Sequence, residues 1–80
     1  MDYLEKIGTI KLKLKEIQRN DLSDRILKLQ LSGGTGGEVL IAVCSELLKI
    51  KKEQYKVYKY FENEADELIK YANSIGLFPE

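Results

Sequence analysis

Four carboxylates fall within six residues, at Glu62, Glu64, Asp66 and Glu67. Paired carboxylates can divide general acid and general base work when their surroundings push the two pKa values apart. Nothing in the sequence marks a cleft or an apolar pocket around these four. Serines 23, 32, 45 and 74 offer hydroxyls and Cys44 a thiol, but the chain has no histidine to activate any of them. The same lack, with a single cysteine, leaves no His/Cys metal site. The sequence therefore predicts no catalytic residue, no metal ligand and no cofactor, and does not read as an enzyme.

Three other patterns can do chemistry of recognition. The run Ser32-Gly33-Gly34-Thr35-Gly36-Gly37 precedes a helix start, where exposed N–H groups and the helix dipole can hold an anion. A phosphate loop would end in Gly-Lys-[Ser/Thr], and here Glu38 stands in that place. The run reads better as a close connector between two helices or as a partner-contact loop, with Gly34 and Thr35 as its contact residues.

Lysine and tyrosine interleave at Tyr55-Lys56-Val57-Tyr58-Lys59-Tyr60, a pattern that can stack single-stranded nucleic acid. Residues 49–60 carry five lysines and one glutamate, but the acids at 62–67 follow within a turn, so nucleic acid is not the expected ligand. A core helix with a charged outer face is the simpler reading. On a single helix turning about 100° per residue, Glu53, Tyr60, Glu64, Glu67 and Tyr71 share one narrow sector. Tyrosine is enriched at binding hot spots, and acids steer a basic partner. Tyr60, Glu64, Glu67 and Tyr71 are thus expected to bind a partner, against the plainer reading of a row along the edge of the core.

These residues need elements to hold them. The chain has 80 residues, 44% apolar and 32% charged, enough for one small domain at 1–80. Thirteen basic and thirteen acidic residues cancel, whereas a nucleic-acid binder usually carries a basic excess. The longest apolar run, Val39 to Cys44, is far short of the roughly 20 residues a membrane span needs. The opening Met1-Asp2-Tyr3-Leu4-Glu5 lacks the basic and apolar regions of a signal peptide, so a cytoplasmic protein without membrane contact is expected.

Tyr3, Ile7, Ile10, Leu14 and Ile17 recur at helical spacing, with Gly8 a mild weakness. Thr9 to Lys15 and Leu27 to Leu31 also alternate, and could pair as a hairpin. Helix is preferred, because Leu, Lys, Glu and Gln are good helix formers and the flanks continue the longer period. Asp21 reads as an N-cap for a second helix along Leu22, Ile26 and Leu29. Thr35 and Glu38 match a capping box ahead of an apolar, central third helix. A break falls somewhere in 50–55. Tyr58, Phe61, Ala65, Leu68, Ala72 and Ile75 then form a stripe, stopped by Gly76, with Leu77 able to pack back and Pro79 beyond. The expected fold is all-α: an up-down bundle of three to four helices, at about 2–19, 21–31, 36–50 and 54–75, with a Gly-rich connector. Leu40, Val43, Leu47, Phe61, Leu68 and Ile75 are expected to be buried together.

The junction Leu31-Ser32-Gly33-Gly34-Thr35-Gly36-Gly37-Glu38-Val39-Leu40 resembles that of small bacterial all-α proteins with a Gly-[Ser/Gly]-Thr-Gly-x-Glu-[Ile/Val] motif, several of which resemble immunity proteins of polymorphic or contact-dependent toxin systems. The resemblance implies a cytoplasmic protein that neutralises one cognate toxin domain, often a nuclease, by occluding its active site or substrate face. It carries over no binding residues, since such interfaces differ from pair to pair. A neutral chain departs from the acidic balance usual for an inhibitor of a basic nuclease. The alternatives are a helical adaptor that self-associates through a leftover apolar face and, less favoured, a small nucleic-acid binder using Lys49 to Lys59.

Overall fold

The structure, a computed structural model, describes residues 2–32, 34 and 36–76. The described residues form helices and turns, with no strand among them, so the 9–15 and 26–32 segments do not pair as a hairpin. Helix α1 spans Tyr3–Glu16, α2 Asn20–Ser32, α3 Gly36–Glu53, α4 Tyr55–Tyr58 and α5 Glu62–Ser74, with a 3-10 turn at Lys59–Phe61 between the last two. The principal packing runs α1 on α2, α2 on α3, α3 on α5 and α5 on α1, which closes four helices into a ring.

Each helix contributes one stripe to the interior. Ile7, Ile10 and Leu14 come from α1, Leu22 and Ile26 from α2, and Leu40, Val43, Cys44, Leu47 and Ile50 from α3. Tyr58, Phe61, Ala65, Leu68, Ile69 and Ala72 complete the core. Of the six residues expected to meet there, Ile75 does not: it is 47% exposed. It caps α5 at φ −100°, and Gly76 behind it turns left-handed at φ +75°, so the side chain has already left the stripe. Leu77 and Pro79 lie outside the described residues.

The helix ends follow from local bonding. Asp2 caps α1, its Oδ1 accepting from the N–H groups of Leu4 at 3.1 Å and Glu5 at 3.3 Å. The helix ends three residues short of the expected 19, because Gln18 adopts φ +62°. Arg19 N–H then reaches Leu14 O at 2.8 Å and Gln18 N–H reaches Lys15 O at 3.0 Å, the paired bonds of a Schellman motif. Asp21 is not the N-cap of α2, which starts one residue earlier at Asn20. Its carboxylate instead takes two bonds from Arg19, at 3.1 Å to Nε and 3.0 Å to Nη2. The Thr35 half of the expected capping box lies outside the described residues.

The segment expected as one helix over 54–75 is three pieces. Gln54 at φ −139° separates α3 from α4, and Phe61 at φ −133° separates the 3-10 turn from α5. Arg19 Nη1 donates to Gln54 Oε1 at 2.7 Å, tying the α1–α2 corner to the first of these breaks.

Candidate functional site

Phe61 decides how the expected recognition strip is arranged. A common sector for Glu53, Tyr60, Glu64, Glu67 and Tyr71 assumes one helix axis, and the bend at Phe61 ends that axis. The strip divides in two. Glu64, Glu67 and Tyr71 lie along the seam between α5 and α1, whereas Tyr60 stands on the 3-10 turn, beside Lys59 and Lys56 of α4.

On the seam, the acids already have basic partners. Lys13 Nζ donates to Glu64 Oε2 at 2.9 Å, and Lys6 Nζ to Glu67 Oε1 at 3.0 Å. The Tyr71 ring stacks on Tyr3, with centroids 6.5 Å apart and planes 21° from parallel. Burial pushes the Glu64 carboxyl up, but the hydrogen bond from Lys13, its own backbone N–H and the charges of Lys13 and Lys6 outweigh this and hold it below the usual range. Glu64 Oε1 is buried with no hydrogen-bond partner. On the seam, Glu64, Glu67 and Tyr71 thus run along the edge of the core, each engaged with a side chain of α1. Lys6 and Lys13 stand seven apart beside the Ile7–Leu14 stripe, and the packing of α1 on α5 brings them to the acids.

The other acids are also engaged. Tyr58, fully buried, donates its hydroxyl to Asp66 Oδ1 at 2.7 Å, and Lys51 Nζ lies 4.0 Å from the same oxygen. Burial, then Asp66, raises the Tyr58 pKa far above its ordinary value, so it stays a donor. Tyr55 donates to Glu62 Oε2 at 3.1 Å, which together with the Glu62 charge raises its own pKa. All four carboxylates thus have side-chain partners within the chain. Burial pushes the Cys44 thiol up to about 11, which keeps it protonated and a poor nucleophile.

The Lys/Tyr run makes no open stacking platform. Tyr55 stacks on Tyr58 at 6.3 Å, Tyr58 meets Phe61 edge-on at 5.4 Å, and Lys51 and Lys59 lie 5.5 and 5.7 Å over the Tyr58 and Tyr55 rings. Tyr60 is different. The residue is 60% exposed and, with Lys56 and Lys59, lines an open recess of about 400 Å³. A second recess of about 380 Å³ lies along Glu67, Lys70, Tyr71 and Ser74.

Gly34, at an exposed bend, faces Glu38. A Cβ built on Gly34 would come within 3.2 Å of both Glu38 carboxylate oxygens, so negative charge lies where an anion would sit. Thr35 lies outside the described residues. Among the described residues no group of three or more His, Cys, Asp or Glu could hold a metal, and no helix is long and apolar enough to cross a membrane. Compared with known proteins, the chain matches no family model, no curated protein and no solved structure.

Proposed function

We propose that this chain works by binding another protein, as an immunity protein that covers a cognate toxin domain in the cytoplasm. The observation that carries the reading is Tyr60. The ring is exposed, while its neighbour Phe61 is locked in the core and fixes the turn that presents it. An aromatic mounted on a rigid turn loses little freedom on binding and makes an efficient anchor. The junction from Leu31 to Leu40 supports the toxin-neutralising form of this activity through its resemblance to such proteins.

The charge beside the anchor modifies the expected partner. Glu64 and Glu67 are neutralised by α1, so steering falls to Lys56 and Lys59, and the partner surface facing Tyr60 is acidic. The test is co-expression with the product of the adjoining gene, read as complex formation and as protection of the cell. Tyr60→Ala should weaken the complex about 30-fold or more, mainly through faster release. Lys56→Glu with Lys59→Glu should slow association most at low salt. A parent chain that neither binds nor protects rejects the proposal.

A further inference from the structure

Four leucines on α1 and α2 remain outside the core. Leu4, Leu12, Leu27 and Leu31 are 56%, 59%, 40% and 76% exposed, which accounts for most of the large aliphatic surface among the described residues. Their spacing puts them in two rows: Leu4, Gly8 and Leu12 at successive i+4 positions on α1, and Leu27 and Leu31 on α2. The rows flank a recess of about 310 Å³ that both helices line. Gly8 is among the residues lining it, and a Cβ there would meet nothing within 4 Å. Apolar rows on two adjacent helices, with a glycine between, form a helical face that is unpartnered among the described residues.

Its charges point to the occupant. Lys11, Lys15 and Asp24 line the same recess. Lys11 Nζ is tied to Gln30 Oε1 at 2.6 Å, whereas Lys15 on α1 and Asp24 on α2, at the α1–α2 corner, have no side-chain ion pair or hydrogen bond among the described residues. We infer that this face pairs with the same face of a second copy, about a two-fold axis running along the groove. That operation lays α1 of each copy over α2 of the other, and α1 and α2 run antiparallel. It brings Lys15 of one copy to Asp24 of its partner twice, sets Leu12 against Leu27, and sets Gly8 against Leu31. An isologous interface must be self-complementary in this sense. The chain's zero net charge puts no overall repulsion between copies. The recess shares no lining residue with the one at Tyr60, so the pairing does not depend on the proposed toxin contact.

Sedimentation equilibrium across micromolar to millimolar protein, with circular dichroism to check helix content, tests the inference. The parent should sediment as a concentration-dependent dimer. Lys15→Asp and Asp24→Lys should each weaken it at least tenfold, because each places like charges across the two-fold. Mixing these two variants should restore a dimer, since both contacts then pair an acid with a base. At one contact the introduced aspartate meets the introduced lysine, and at the other the retained Lys15 meets the retained Asp24. Leu27→Glu should give monomers of unchanged helicity. A parent that stays monomeric throughout overturns the inference, and so do charge variants that dimerise like the parent or fail to rescue each other on mixing.

Discussion

Lys13 Nζ sits 2.9 Å from Glu64 Oε2, a bond between residues 51 positions apart that holds the α1–α5 seam. The pair is half-shielded, with 36% and 19% of the two side chains exposed, so Glu64→Gln should cost about 1 kcal/mol at neutral pH. The pH dependence has a definite sign. A carboxyl held below its unfolded pKa adds stability that is complete above the unfolded value, near pH 4–5, and is lost as the pH falls through the folded value. Urea midpoints at pH 7 and pH 3 should therefore differ less in Glu64→Gln than in the parent. Equal differences would show that this carboxylate contributes nothing to the acid limb.

Phe61 and Tyr58 carry the bend that presents Tyr60. Phe61→Ala should cost roughly 3–5 kcal/mol, a large share of a small domain's stability. Tyr58→Phe keeps the ring and removes only the bond to Asp66, with an expected cost of about 1–2 kcal/mol. Chemical denaturation separates the two. A double-mutant cycle with Asp66→Asn should recover most of the Tyr58→Phe effect as coupling.

Gln18 carries a conformational penalty that glycine would not. Its φ of +62° lies in the left-handed region, where an L side chain costs roughly 1–2 kcal/mol. Glycine offsets part of that gain through unfolded-chain entropy. Gln18→Gly should thus raise stability by about 0.5–1 kcal/mol, read as a higher melting temperature. A lower one would mean the Gln18 side chain contributes more than the strain it carries.

Gly8 is the converse case. It sits mid-helix with open space around it, so Gly8→Ala should stabilise α1 by about 1 kcal/mol in dilute solution. The same methyl group would project into the α1–α2 groove that Gly8 lines and lower the dimer fraction at high concentration. Melting curves at two protein concentrations read both effects.

The helices were legible because stripes such as Ile7–Ile10–Leu14 and Ala65–Leu68–Ala72 depend only on the period of one helix and the need to bury its apolar side. Asp21 stands two residues past the cap position, because α2 already starts at Asn20, and its carboxylate pairs with Arg19, a contact that composition does not flag. Gln18 was missed because left-handed ends are usually marked by glycine or asparagine. The recognition strip is divided for a different reason. Helical projection assumes a continuous axis, and no glycine or proline announces the bend at Phe61. Nor does a single helix reveal that Lys6 and Lys13 face its acids; that follows only from which helices are neighbours.

The ring of helices has a consequence for how the molecule assembles. Packing of α1 on α2 and of α2 on α3 joins segments adjacent in sequence, but the α1–α5 joint closes a loop of most of the chain. Closing such a loop costs entropy that neighbouring helices do not face. The contacts between Tyr3 and Tyr71, Lys6 and Glu67, and Lys13 and Glu64 should form late on the folding pathway. Sub-global opening should begin there too, baring Ile7, Ile10 and Leu14 while α2 and α3 stay paired. The seam thus acts as a latch, and its side chains set how long the closed ring lasts.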